Sequence, residues 1–152
     1  MAKNDELPGF YEKRKILFNE KTSDEKMRET GRQFFEAERY DDALEFFARC
    51  EAPDSVRQIV ETTLERGDTP LFLRAKRVLK EEVSDEEWKT LAQNALDAGC
   101  PSKAYVAYLK SGREDKAKEL KAQTEGLGEP EEEEAEEEEA GPATPDEGTA
   151  TV

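Results

Sequence analysis

The sequence contains no histidine. That removes the commonest general base and the commonest metal ligand together, and it excludes any Ser–His or Cys–His catalytic pair. Neither a G-x-x-x-x-G-K-[ST] phosphate loop nor a G-x-G-x-x-G dinucleotide turn is present. Cysteine is limited to Cys50 and Cys100, too few and too widely separated for a zinc site. Both stand in apolar helical contexts and read as buried free thiols. No stretch approaches the roughly 20 apolar residues of a membrane-spanning helix. The opening MAKNDELPGF lacks the apolar run of a secretory signal, so a cytoplasmic location is the default expectation. No useful length of strand-like alternation occurs, and a sheet is not expected. The chain is accordingly read as non-catalytic, with no cofactor and no metal.

What is present is charge. Of 152 residues, 40% are charged and 35% apolar, a balance too polar for one thick core but suited to thin layers of amphipathic helices. The net charge of −15 is unevenly distributed, because residues 125–152 hold twelve acidic residues and no Lys or Arg. Setting those twelve aside leaves −3 for residues 1–124. Acid of this extent repels phosphate backbones, and nucleic acid is not an expected partner. The tail, LGEPEEEEAEEEEAGPATPDEGTATV, offers almost no large apolar side chain to offset the entropy of ordering, which predicts disorder. Its glutamate runs lack the alternating ligands and turn glycine of a calcium loop.

Helix starts and stops are closely marked. Thr22 and Glu25 fit a capping box ahead of a run that places Met27, Gly31, Phe34 and Phe35 near one face. Asp41 caps a second helix with Ala43, Leu44, Phe47 and Cys50 as its stripe, ended by Ala52-Pro53. A third, with Val56, Ile59, Val60 and Leu64 in phase, stops at Gly67. Thr69 with Pro70 opens a fourth. Ser84 and Glu87 form another capping box before Trp88, Leu91, Ala92 and Ala95, and Gly99 ends that helix. Pro101 to Gly112 brackets the next. A last, mostly charged helix, REDKAKELKAQ, touches its neighbours through Ala117 and Leu120. Acid pairs such as Asp41-Asp42 and Glu86-Glu87 sit at helix starts, where they complement the dipole. Short linkers make neighbouring helices antiparallel. Upstream, FYEKRKILF reads as a short helix. Its Phe10, Tyr11, Ile16, Leu17 and Phe18 either lie against the first hairpin or form a docking peptide.

Aligning MRETGRQFFEAERYDDALEFFARC with WKTLAQNALDAGCPSKAYVAYLKS at a constant offset of 61 superposes Gly31 on Ala92, Phe34 on Ala95, Glu38 on Gly99, Ala43 on Ala104 and Phe47 on Tyr108. This spacing of small and aromatic residues resembles the tetratricopeptide repeat over roughly residues 24–120, with Gly31, Phe34, Tyr40, Ala43 and Phe47 matching its motif. Glu38 departs from the usual turn glycine, Pro101 from the usual aromatic, and residues 53–82 form a degenerate middle unit. The resemblance implies an all-α, short α-solenoid of antiparallel hairpins over 23–124, between an N-terminal extension at 1–22 and the disordered acidic tail at 125–152. The number and register of the repeats stay open.

The resemblance also implies that the first helix of each hairpin lines a groove for a partner peptide or helix. By helical phase, the outward residues are Arg28, Arg32 and Phe35, then Arg57, Glu61 and Leu64, then Lys89, Gln93 and Leu96. Arg28, Arg32, Arg57 and Lys89 suit an acidic segment or a terminal carboxylate. An ordinary solvated face accounts for the same residues. The expected function is a protein-interaction adaptor or scaffold without a membrane role. Two alternatives stand beside it: a chaperone-like or mimic protein whose acidic tail binds basic partners, and a structural subunit of a larger helical assembly. The tail also has the charge to fold back on Arg28, Arg32 and Lys89, or simply to keep the chain solvated.

Overall fold

A computed structural model describes residues 7–125. Eight α-helices follow one another: α1 (Phe10–Phe18), α2 (Asp24–Glu36), α3 (Tyr40–Arg49), α4 (Pro53–Arg66), α5 (Thr69–Leu79), α6 (Asp85–Asp97), α7 (Pro101–Lys110) and α8 (Glu114–Thr124). Among the described residues there is no strand, and no helix is long and apolar enough to cross a membrane. The expected acidic tail lies outside the described residues, apart from Glu125.

The helices pair as α2 with α3, α4 with α5 and α6 with α7. All six end in the same way. In each hairpin two residues take left-handed backbone angles thirteen positions apart: Glu38 and Glu51, Gly67 and Lys80, Gly99 and Gly112, with φ between 49° and 75°. Across each of them the following amide donates back to the fifth residue before it. Arg39 N reaches Phe34 O, Ala52 N reaches Phe47 O, Asp68 N reaches Thr63 O, Glu81 N reaches Lys76 O, Cys100 N reaches Ala95 O and Arg113 N reaches Tyr108 O, at 2.8–3.1 Å. This Schellman closure satisfies carbonyls that a helix end otherwise leaves orphaned. The middle unit, degenerate by side-chain motif, repeats the backbone geometry of its neighbours.

Three expected caps shift by one or two residues. Ser23, not Thr22, caps α2 and accepts from Lys26 N at 3.1 Å. The residue before α3 is Arg39, so Asp41 and Asp42 lie in its first turn and serve the dipole rather than the cap. Thr69 is already helical; its hydroxyl is fully buried and donates to Lys103 O of α7 at 2.9 Å. The box at Ser84 and Glu87 forms with both of its hydrogen bonds.

The main core is built from Phe34, Leu44, Phe46, Val56, Ile59, Phe72 and Leu91, all of them at most 2% exposed. A smaller cluster around Ala95, Ala104 and Leu120 joins α6, α7 and α8. Two glycines explain close approaches. A Cβ at Gly31 would fall 2.7 Å from the Phe47 ring, so the glycine lets α2 and α3 close over two large aromatics. A Cβ at Gly67 would fall 2.2 Å from Ala95 N and 2.4 Å from Ala95 Cα, seating the end of α4 directly on α6. Asn94 Nδ2 donates to Leu64 O at 2.8 Å and pins the same junction.

Cys50 is buried, as its helical stripe implies, whereas Cys100 is only half-buried at the turn before α7. The N-terminal segment divides likewise: Leu17 is buried and Ile16 packs on the core, but Phe10, Tyr11 and Phe18 are exposed.

Candidate interaction surface

The unit offsets of 29 and 61 place Arg28, Arg57 and Lys89 at one equivalent position, Arg32, Glu61 and Gln93 at a second, and Phe35, Leu64 and Leu96 at a third. The first two positions are exposed in every unit. The third is half-buried in every unit and belongs to the packing. Phe35 meets Tyr40 edge-on with ring centroids 5.2 Å apart. Leu64 packs on the main core, and Leu96 joins Tyr105 and Tyr108 in the smaller cluster.

The exposed cations differ in their surroundings. Arg57 spans Asp54 at 3.3 Å and Glu81 at 3.2 Å. Lys89 stands 3.7 Å from Glu86 and 3.9 Å from Asp85 on its own helix. Gln93 donates to Asp97 at 2.9 Å. Among the described residues no ion pair engages Arg28, Arg32 or Glu61. Exposed pairs of this kind contribute about 0–1 kcal/mol, so a carboxylate arriving from outside exchanges for Asp54 or Glu86 at little cost.

One charged contact escaped the sequence reading. Lys76 occupies, in the middle unit, the position of the aromatics Phe47 and Tyr108, and is 7% exposed. Its Nζ lies 2.7 Å from Glu87 Oε1 and 3.5 Å from Glu81 Oε2, and 5.9 Å from the centre of the Phe72 ring. Glu87 also accepts from Ser84 N, so one carboxylate caps α6 and anchors the lysine of α5. Burial pushes the Glu87 carboxyl up, but hydrogen bonds from Lys76 and from Ser84 N outweigh it and hold the group below its ordinary range. Burial likewise lowers Lys13, yet its hydrogen bonds to Asp42 and Glu45 raise it overall. Burial, joined by the charge of Asp24, pushes the Cys50 thiol up against the pull of Arg28. Among the described residues no group of three or more histidine, cysteine or acidic residues is placed to hold a metal ion.

Comparison of the chain with protein-family models, with curated proteins and with solved structures finds no match in any of the three.

Proposed function

We propose that this chain is a non-catalytic adaptor: a short, tetratricopeptide-like α-solenoid that presents the exposed faces of α2, α4 and α6 to a peptide or helix of a partner protein in the cytoplasm. The observation that carries this reading is the threefold repetition of a solvated cationic position, Arg28, Arg57 and Lys89, on helices whose ends share one backbone geometry. A position repeated once in each unit suits an extended ligand, because each unit contributes the same kind of contact in turn. Arginine at two of the three positions favours carboxylates, which its planar fork meets with two parallel hydrogen bonds.

The test is affinity capture from native lysate by the intact chain, by a chain ending at Thr124, and by the quadruple variant Arg28→Gln, Arg32→Gln, Arg57→Gln, Lys89→Gln. The adaptor reading expects one stoichiometric partner that survives tail removal and moderate salt and is lost with the quadruple variant. Partners that are many, basic and lost with the tail assign the binding to the acidic extension instead. A role as subunit of a larger helical assembly has its own support in the aromatic side chains exposed on α1.

A further inference from the structure

The first helix is held on one side and bare on the other. Leu17 is buried, and Lys13 Nζ lies 2.5 Å from Asp42 Oδ1 while also meeting Glu45. Arg49 Nε donates to Leu17 O at 3.1 Å, closing the carbonyl end of α1 from α3. These contacts run α1 alongside α3 in the same direction, Lys13 beside Asp42 and Glu45, and Leu17 beside Arg49. α3 packs on α5 and α5 on α7, and Lys13 and the Leu17 carbonyl hold α1 against α3.

Phe10, at the edge of that held strip, and Phe18 and Tyr11, further round towards solvent, are 67%, 60% and 80% exposed. Phe10, Arg14 and Phe18 are four apart and stand one above another. The Arg14 guanidinium carbon lies 5.9 Å from the Phe10 ring centre and 5.7 Å from that of Phe18, and Arg49 lies 5.1 Å from Phe18. Among the described residues neither arginine meets a carboxylate, in contrast to Arg57, Arg66, Arg74, Lys103 and Arg113. Each rests instead on an aromatic face, which orders the guanidinium plane and leaves donors for an incoming acid.

We propose that this outer face of α1 docks an acidic amphipathic helix of another protein, with apolar side chains on Phe10, Tyr11 and Phe18 and carboxylates on Arg14 and Arg49. Charge complementarity selects the acid. The column of Phe10, Arg14 and Phe18 selects a helix, whose own side chains recur at the same four-residue pitch and can meet it turn by turn. An anionic lipid surface fits less well, because Arg14 sits between Phe10 and Phe18 and would be carried below the headgroups with them. A second copy paired about a twofold axis fits less well too, because it sets Arg14 against Arg14. This surface is on a different helix from the face formed by α2, α4 and α6, so the two readings fail separately.

The experiment displays a library of random peptides of about 16 residues, long enough for a helix to form on binding. Peptides are selected on the full chain and counter-selected on the full-length double variant Phe10→Ser, Phe18→Ser, whose fold is checked by circular dichroism. The expected survivors carry aspartate or glutamate together with large apolar residues at three- and four-residue spacing, and bind Arg14→Gln about tenfold more weakly. Survivors that are basic or uncharged, survivors indifferent to Arg14→Gln, or no peptide that distinguishes the double variant would overturn the proposal. Two further results would do the same: sedimentation with phosphatidylserine vesicles that the double variant abolishes, or a dimer of the chain that Phe10→Ser, Phe18→Ser dissociates.

Discussion

The first and middle hairpins share their helix-ending geometry and differ in what fills the space between their helices. In the first, Gly31 makes room for Phe47, and Phe34 stacks on Phe46 with centroids 5.5 Å apart. In the middle, the position of Phe34 is taken by Thr63, whose buried hydroxyl donates to Ile59 O at 2.7 Å, and the position of Phe47 by Lys76. Phe72 replaces Ala43 and restores the aromatic on the opposite helix. The backbone closure shared by the units thus tolerates an exchange of aromatic packing for a buried lysine, provided it finds the half-buried Glu87 of the next unit. The middle hairpin depends on its neighbour in a way the first does not.

That contrast is open to direct attack. Gly67→Ala is expected to be the most damaging change, at about 3–5 kcal/mol, because it combines a left-handed backbone with a Cβ driven into the α6 backbone. Urea unfolding read by circular dichroism measures it, and a loss under about 1 kcal/mol would mean that α4 and α6 can separate freely. Phe34→Ala is expected to cost about 3–5 kcal/mol by opening a cavity in the first hairpin.

The corresponding changes at Lys76 sharpen the comparison. Lys76→Ala strands Glu87 and is expected to cost about 1–3 kcal/mol. Lys76→Met keeps the volume and is expected to be neutral or stabilising by up to about 1 kcal/mol. Were methionine as damaging as alanine, the charge itself would be structural.

Acid separates the two hairpins further. A carboxylate whose folded pKa is depressed contributes stability above its unfolded value, near 4.5 for Glu87, and that contribution is lost as pH falls through the folded value. The urea midpoint should therefore fall below pH 4.5, and fall less in Lys76→Met, which removes the first of the two groups that lower Glu87. An unchanged acid slope in that variant would show the pair to be energetically silent. The smallest effect is expected from Lys80→Gly, which relieves a left-handed lysine at φ 55° and should stabilise by roughly 0.5–1 kcal/mol.

The helix content, the hairpin pairing and the ends marked by Gly67, Gly99 and Gly112 were legible in the sequence, because glycine, proline and capping boxes act locally. The matching ends at Glu38, Glu51 and Lys80 were not, since nothing about those residue types announces a left-handed angle. They hold it because the closure around them recurs. Lys76 escaped for a related reason: its partner Glu87 lies in the next helix pair, already accounted for as a cap. At the candidate surface, helical phase found the equivalent positions in all three units but could not separate the solvated Arg28, Arg57 and Lys89 from the half-buried Phe35, Leu64 and Leu96 beside them. In α1, counting large apolar residues merged the buried Leu17 and the packed Ile16 with the exposed Phe10, Tyr11 and Phe18; Phe10 lies two turns before Leu17 on the same flank, so helical phase by itself does not tell which of the two is covered.

The seat of Gly67 on Asn94 and Ala95 also bears on how the chain matures as it leaves the ribosome. The first hairpin can close as soon as the amide of Ala52 has emerged, since everything its helix ends require is local. The middle one can form its own turn at once, but the end of α4 stays open to water until Asn94 and Ala95 arrive, and Lys76 has to wait for Glu87. Synthesis therefore passes through an interval in which the half-made middle pair carries a lysine held only by its longer contact to Glu81, and an uncovered helix end. A pause in translation there would leave that part of the chain the most accessible to chaperones and proteases.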